Sequence, residues 1–170
     1  MKEISFRNDV LPLKNELYRL ALRITLNREE AEDVVQETLL KVWNRRNEWQ
    51  TIESIEAYSL TVCRNLALDA MKRMGNHVES IEDTGADSVD RASTPYELMM
   101  QKDRISLVRQ LINSLPEKQR SCMQLRDIEG KPYKDIAAIL GITEEQVKVN
   151  IFRARQAIKQ KYQEYEQYGL

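Results

Sequence analysis

One stretch constrains the fold more than any other: Tyr133-Lys-Asp-Ile-Ala-Ala-Ile-Leu-Gly-Ile-Thr-Glu-Glu-Gln-Val-Lys-Val-Asn-Ile-Phe-Arg-Ala-Arg155. Ile136, Ala137 and Leu140 recur at helical spacing and form one apolar stripe. Gly141 follows, the residue that most easily takes the left-handed backbone ending a helix. Thr143 has the chemistry of a new N-cap and Gln146 stands three residues on, the pattern of a capping box. Glu144 and Glu145 fall in the first turn, where the helix dipole favours negative charge. The spacing predicts two helices joined by a tight turn.

In the second helix Val147, Ile151, Ala154 and Ile158 share one face. Glu145, Gln146, Val149, Phe152, Arg153 and Gln156 occupy the other, with Lys148, Asn150 and Arg155 on the flanks. A short helix, a glycine turn and a second helix with a polar, partly basic outer face suit a helix-turn-helix that enters a DNA groove. They also suit an ordinary helical hairpin whose charges meet only water.

Only five glycines and four prolines interrupt the 170 residues, and the predicted class is all-α. The net charge of −1 gives no global signal for nucleic acid, but its distribution is uneven. Residues 74–95 hold one basic and five acidic side chains, whereas 144–161 hold five basic and two acidic. The local excess predicts salt-sensitive phosphate affinity. Cys63 and Cys122 lie in apolar helical contexts without metal-ligand spacing, and read as core thiols. His77 is the only histidine and lies in a polar stretch, which argues against histidine-based catalysis or a metal site. With no signal peptide or membrane-length apolar run, no cofactor, metal or membrane insertion is expected, and the expected location is cytoplasmic.

Along the chain, Val10, Leu13, Leu17, Leu20, Ala21 and Ile24 mark a first helix. Asn27 is a candidate N-cap for the next, where Val34, Val35, Thr38, Leu39 and Val42 point inward. Glu29, Asp33, Gln36, Glu37 and Leu40 lie on a different face, either solvated or a dock for a basic partner. Residues 44–56 read as a polar loop or short turn whose Trp49 is either buried or a stacking platform for bases. From Ala57 to Arg73 a helix carries the stripe Leu60, Cys63, Ala67, Ala70 and Met74. Elsewhere on it Tyr58, Arg64, Asn65, Lys72 and Arg73 form an aromatic, amide and basic set suited to single-stranded nucleic acid. Residues 75–95 read as an acidic linker between two small helical domains, 1–74 and 96–170. Beyond it come a helix to Leu115, another from Glu117 to about Ile128, a turn at 129–132, the helix-turn-helix, and a tail expected to fray.

Four motifs in order carry a resemblance: Ala31-Glu-Asp-Val-Val-Gln-Glu-Thr-Leu-Leu-Lys-Val-Trp43, Arg64-Asn-Leu-Ala-Leu-Asp69, Leu115-Pro-Glu-Lys-Gln-Arg120 and Leu125-Arg-Asp-Ile-Glu-Gly130. Together with the helix-turn-helix they closely resemble the extracytoplasmic-function sigma factors of bacterial RNA polymerase, over about residues 8–160. The resemblance implies a non-enzymatic initiation factor with a sigma-2-like bundle, a tether and a four-helix sigma-4-like domain. It implies binding to core RNA polymerase through an Asp-x-x-Gln-Glu face, here Asp33, Gln36 and Glu37 with Leu40 beside them. It implies capture of an unstacked −10 base near Trp49–Ala57 and the helix bearing Arg64 and Asn65, with Tyr58, Lys72 and Arg73 as further −10 candidates. The −35 element would be read as duplex in the major groove by the helix from Glu144. There Gln146 suits adenine, Glu145 cytosine and Val149 a thymine methyl, with Asn150 alongside. Lys131, Lys134, Lys148, Arg153 and Arg155 are the phosphate candidates. An anti-sigma partner, membrane-anchored, is also implied.

Departures are local. The family usually carries Thr-Val-Lys-Ser-Arg after the turn, where this chain has Gln146-Val-Lys-Val149-Asn150. A Ser or Thr often precedes the aromatic residue of the first helix, where this chain has Pro132. The competing reading is a stand-alone helix-turn-helix regulator, which explains residues 115–160 and leaves Asp33, Gln36 and Glu37 idle.

Overall fold

The structure, a computed structural model, describes residues 3–76 and 95–168. Among the described residues there are helices and turns and no strand. Seven α-helices carry the fold: α1 (Lys14–Thr25), α2 (Arg28–Asn44), α3 (Ile55–Asn76), α4 (Pro95–Asn113), α5 (Glu117–Met123), α6 (Tyr133–Leu140) and α7 (Glu144–Tyr168). Short π-helical turns at Phe6–Val10 and Gln124–Ile128 and 3-10 turns at Leu11–Leu13 and Arg46–Thr51 complete it.

The helix boundaries have local causes. The Asn27 side chain accepts a hydrogen bond from the Glu30 amide at 3.0 Å and starts α2 as a cap. Leu26, at φ 57, ends α1 in the left-handed region without being glycine. Gly141, at φ 67, ends α6 as the sequence predicts. The capping box of α7 is formed in both directions. The Thr143 amide donates to Gln146 Oε1 at 3.0 Å, and the Gln146 amide donates to Thr143 Oγ1 at 3.1 Å.

The polar segment after α2 forms a short 3-10 turn, within the loop or short turn expected there. Two expectations about extent differ from the structure. Gly75 belongs to α3, which runs to Asn76, so the expected linker from 75 begins inside a helix; its residues 77–94 lie outside the described residues. The tail from Lys159 is helical to Tyr168, continuing from Ala157 and Ile158, which pack against Leu115, Met123 and Ala154.

α1, α2 and α3 pack mutually, and α4 to α7 form the second group. Their apolar interiors are continuous. Leu17, Leu20 and Ile24 of α1 and Leu60, Cys63 and Ala67 of α3 belong to the same buried cluster as Leu125, Ile136, Leu140, Val147 and Ile151. α3 packs on α6, and α1 on α5. The two expected helical domains are thus present, and their buried residues join in one cluster across the contact between them. A smaller cluster of Val10, Val42 and Trp49 closes the far end of the first half, with Phe6 and Trp43 in an edge-on ring contact.

Both cysteines are fully buried and unpaired. The Cys63 thiol donates to the Leu17 carbonyl at 3.3 Å, and burial pushes it up to about 12. Burial, with the nearby Glu117 carboxylate, pushes Cys122 up to about 11.

Two outcomes follow from this packing. Replacing Asn27 with Ala removes the α2 cap and lowers stability by about 1 kcal/mol in urea unfolding. The thiols act above neutrality: unfolded cysteines ionise near pH 9 while the folded ones stay neutral, so the unfolded state then binds fewer protons. Stability should fall as pH rises from about 9 towards 11, and the Cys63→Ala/Cys122→Ala protein should show a shallower fall over that window.

Candidate nucleic-acid and polymerase interfaces

The outer face of α2 is set by its inner one. Ala31, Val34, Val35, Thr38 and Val42 are buried, and helical periodicity turns Asp33, Gln36, Glu37 and Leu40 to solvent. Leu40 is 61% exposed among acids and an amide. Trp43, one turn further, is also exposed, with the Arg46 guanidinium 4.5 Å from its ring centroid. An isolated exposed leucine is unremarkable, but Leu40 and Trp43 together make an apolar ridge beside carboxylates. Sequence reasoning did not place Trp43 there; its ring meets the buried Trp49 edge-on, with centroids 6.2 Å apart.

Trp49 does not lie on a DNA-facing surface. It is 6% exposed and its Nε1 donates to the Val42 carbonyl at 3.0 Å. The stacking role is thereby corrected: the indole is a core residue with its one polar atom satisfied. Between α2 and α3 lies a cleft of about 420 Å³ lined by Lys41, Asn44, Arg45, Tyr58, Val62, Asn65, Leu66 and Asp69. It unites Tyr58 and Asn65 of the predicted −10 set and adds Lys41, Asn44 and Arg45. These three end α2, and their proximity to α3 was not visible in local sequence. Lys72 and Arg73 are exposed further along α3.

Arg64 departs from its expected place. It is 7% exposed, and its Nε and Nη2 donate to Glu117 Oε1 and Oε2 at 3.1 and 3.0 Å. Its Nη1 reaches the Leu140 carbonyl at 3.5 Å. The guanidinium is therefore held between the two halves rather than presented to a single strand.

In the second half, Ile136, Ile139, Leu140, Val147, Ile151 and Ala154 are buried. They leave Glu145, Gln146, Lys148, Val149, Phe152 and Arg153 exposed on α7. Val149 is 44% exposed and Phe152 63%. Glu145, Gln146, Val149, Asn150 and Arg153 line a shallow recess of about 270 Å³ with Ile142 and Lys118. Lys118 comes from α5 and was missed because only the packing of α5 on α7 brings it there. Arg153 makes no ion pair among the described residues.

Three predicted contacts have prior commitments. Gln146 Oε1 is engaged by the Thr143 amide, so it reads an adenine through both amide atoms only after releasing its cap. The Arg155 guanidinium is gripped by both oxygens of Asp127, with Nε to Oδ2 at 3.1 Å. That hydrogen bonding raises its already high pKa. Arg155 braces α7 against the Gln124–Ile128 turn and is not a free phosphate ligand. Lys131 pairs with Glu16 at 2.7 Å and with Glu56, again across the two halves. Lys134 is exposed on α6, and Lys148 stands 5.8 Å from the Tyr133 ring centroid.

The sequence matches two family models, "Sigma-70 region 2" over residues 10–76 and "Sigma-70, region 4" over residues 105–158. It is 34% identical over 151 residues to the ECF RNA polymerase sigma factor SigL of Mycobacterium tuberculosis, covering 87% of this chain and 83% of that one. It is 31% identical over 147 residues to SigE of Mycolicibacterium smegmatis, covering 85% of this chain and 56% of that relative's length. The fold matches the sigma factor RpoE of Bartonella quintana, solved with the anti-sigma factor NepR, at TM-score 0.70 and 26% identity, over 91% of this chain and 94% of that one. It also matches CnrH, solved with the cytosolic domain of CnrY, at TM-score 0.68 and 18% identity, over 93% and 87% of the two chains. A helical bundle with an exposed acidic face, joined to a helix-turn-helix domain, thus has its class: the chain belongs to the sigma-70 family, among its extracytoplasmic-function members. Such proteins give RNA polymerase its promoter specificity and are not themselves enzymes.

Proposed function

We propose that the chain directs core RNA polymerase to promoters by a division of surfaces between its two halves. The supporting observation is that two faces remain open while the core is shared. These are the Asp33, Gln36, Glu37 and Leu40 face of α2 and the Gln146, Val149, Phe152 and Arg153 face of α7. The α2 face offers carboxylates around a protruding leucine, the chemistry of a dock for a basic, partly apolar partner surface. The α7 face offers an amide, apolar groups and a cation in the size and register of a major-groove reader.

The cleft bounded by Tyr58 and Asn65 takes an unstacked base of the −10 strand. Lys41 and Arg45 at its rim supply phosphate attraction. Unstacking costs a few kcal/mol, which base capture and charge contacts offset. The protein acts in the cytoplasm; no described helix is long and apolar enough to cross a membrane. Its regulator is an anti-sigma protein, as the sigma factor RpoE above has in its complex with NepR, and by family resemblance a membrane-anchored one.

Charge reversal of Asp33 and Glu37 together should abolish capture of core polymerase while leaving binding to −35 duplex unchanged. Retained capture would transfer the assignment to a stand-alone regulator. Arg153→Ala should weaken promoter binding across sequences and reduce the dependence of log K on log salt by about one unit. An unchanged slope would remove Arg153 from the phosphate contacts.

A further inference from the structure

Where the family usually carries Ser-Arg, this chain has Val149-Asn150, and the exchange changes what the face of α7 can bind. Val149 is 44% exposed, and Phe152, one turn on, is 63% exposed. At a spacing of three they lie on one side of the helix, about 4.5 Å apart along its axis. A single exposed apolar side chain means little, but two adjacent ones leave a strip without hydrogen-bonding groups. Arg153 and Lys118 of α5 line the same recess as Val149. Cations bordering an apolar strip match a partner that carries phosphates around apolar groups, as the major groove does along thymines.

Two sets of hydrogen bonds fix what the neighbouring amides offer. Asn150 Nδ2 donates to the Gln146 carbonyl at 2.8 Å, so this side chain is folded back on its own helix. Where an arginine would bring a charged fork of donors to a base, the asparagine spends an amide hydrogen on α7 itself. Gln146 Oε1 accepts from the Thr143 amide at 3.0 Å, and the Gln146 amide donates to Thr143 Oγ1 at 3.1 Å. With the carbonyl end turned to the helix start, the end left for a base is Nε2, a donor only. Guanine shows two acceptors in the major groove, N7 and O6, whereas adenine sets an amino donor beside its N7. The cap therefore turns Gln146 from the adenine reader that its residue type suggests into a guanine reader.

Gln146, Val149 and Phe152 follow one another at steps of three. On a helix in the major groove, residues at such steps can meet successive bases, as they do in zinc fingers. Apolar side chains, phenylalanine among them, meet the thymine C5-methyl there.

Resting on the sigma-factor reading above, we propose that Gln146, Val149 and Phe152 set the sequence specificity of the −35 contact, a capped donor followed by two methyl contacts. The element they select is a G·C pair next to two A·T pairs. Gln146 Nε2 reads the guanine, and Val149 and Phe152 read the thymine methyls. Arg153 and Lys118 hold the flanking phosphates and add no base preference.

The test uses the full chain with core polymerase. The probe is duplex DNA enriched by that holoenzyme from a library randomised over the −35 element, and enriched sites should carry a G·C pair adjoining two A·T pairs. Replacing each thymine by uracil removes the methyl and keeps every pairing hydrogen bond. Wild-type affinity should fall about fourfold per methyl. Alanine favours helix at both exposed positions, so the Val149→Ala/Phe152→Ala protein should keep wild-type helicity by circular dichroism. It should bind thymine and uracil duplexes equally. An adenine–uracil pair in place of the G·C pair introduces no methyl and should weaken wild-type binding about fivefold, the worth of one hydrogen bond. Gln146→Glu keeps the cap, since glutamate also accepts from the Thr143 amide, but has no donor, and its preference should reverse.

Equal wild-type affinity for thymine and uracil duplexes would overturn the methyl contacts, as would a uracil penalty that survives in the double variant. A guanine preference unchanged in Gln146→Glu would overturn the donor assignment. If the holoenzyme enriches no −35 sequence beyond core polymerase alone, the sigma-factor reading itself fails. Enrichment without a methyl effect strikes this inference and leaves that reading standing.

Discussion

The arrangement of the molecule turns on one buried cation, Arg120. Its Nε and Nη2 take the Arg23 and Ile24 carbonyls at 3.1 and 3.0 Å, and its Nη1 takes the Leu115 carbonyl at 2.8 Å. The first two are among the last carbonyls of α1, which have no partner inside their own helix, at the end where the dipole is negative. One side chain of α5 thus caps a helix of the other half. Burial pulls the Arg120 pKa down, and the Glu117 carboxylate pushes it back, yet guanidinium stays charged at any working pH. Breaking such a buried arrangement from one side costs about 3–5 kcal/mol, because the partners are left unpaired.

Around that anchor, α1 is covered on two sides. α2 and α3 take its apolar stripe, and α5 takes its C-terminal end. Arg64 and Glu117 then close the angle between α3 and α5, and the Lys131 ion pairs close the angle between the turn before α6 and the starts of α1 and α3. Polar groups at this junction are matched pair by pair, as burial requires. Arg64 and Lys131, which the sequence offered as candidates for nucleic acid, serve here as contacts between the halves. Arg155 is committed differently: its Asp127 partner lies within its own half.

Helix number, helix type and most inward faces were legible in the sequence because their causes are short-ranged. Asn27, Gly141, Thr143 and Gln146 each act within four residues of themselves, and the stripes of α1, α2, α3 and α7 follow from helical periodicity. The acidic face of α2 and the polar face of α7 were legible for the same reason, as the complements of buried stripes. The indole of Trp49 was not: periodicity fails in a 3-10 turn, and whether an aromatic ring points in or out there depends on the gap left beside Val10 and Val42.

What the chain alone determined is an all-helical protein with a helix-turn-helix near its end and an acid-and-leucine face near its start, since these are properties of neighbours along a helix. What the tertiary structure decided is which charges are spoken for. Arg64, Lys131 and Arg155 all read as available in one dimension. Each is held by a residue at least 28 positions away. Ion pairs form wherever packing brings opposite charges together, and packing follows the shape of a shared core that no local window of sequence contains.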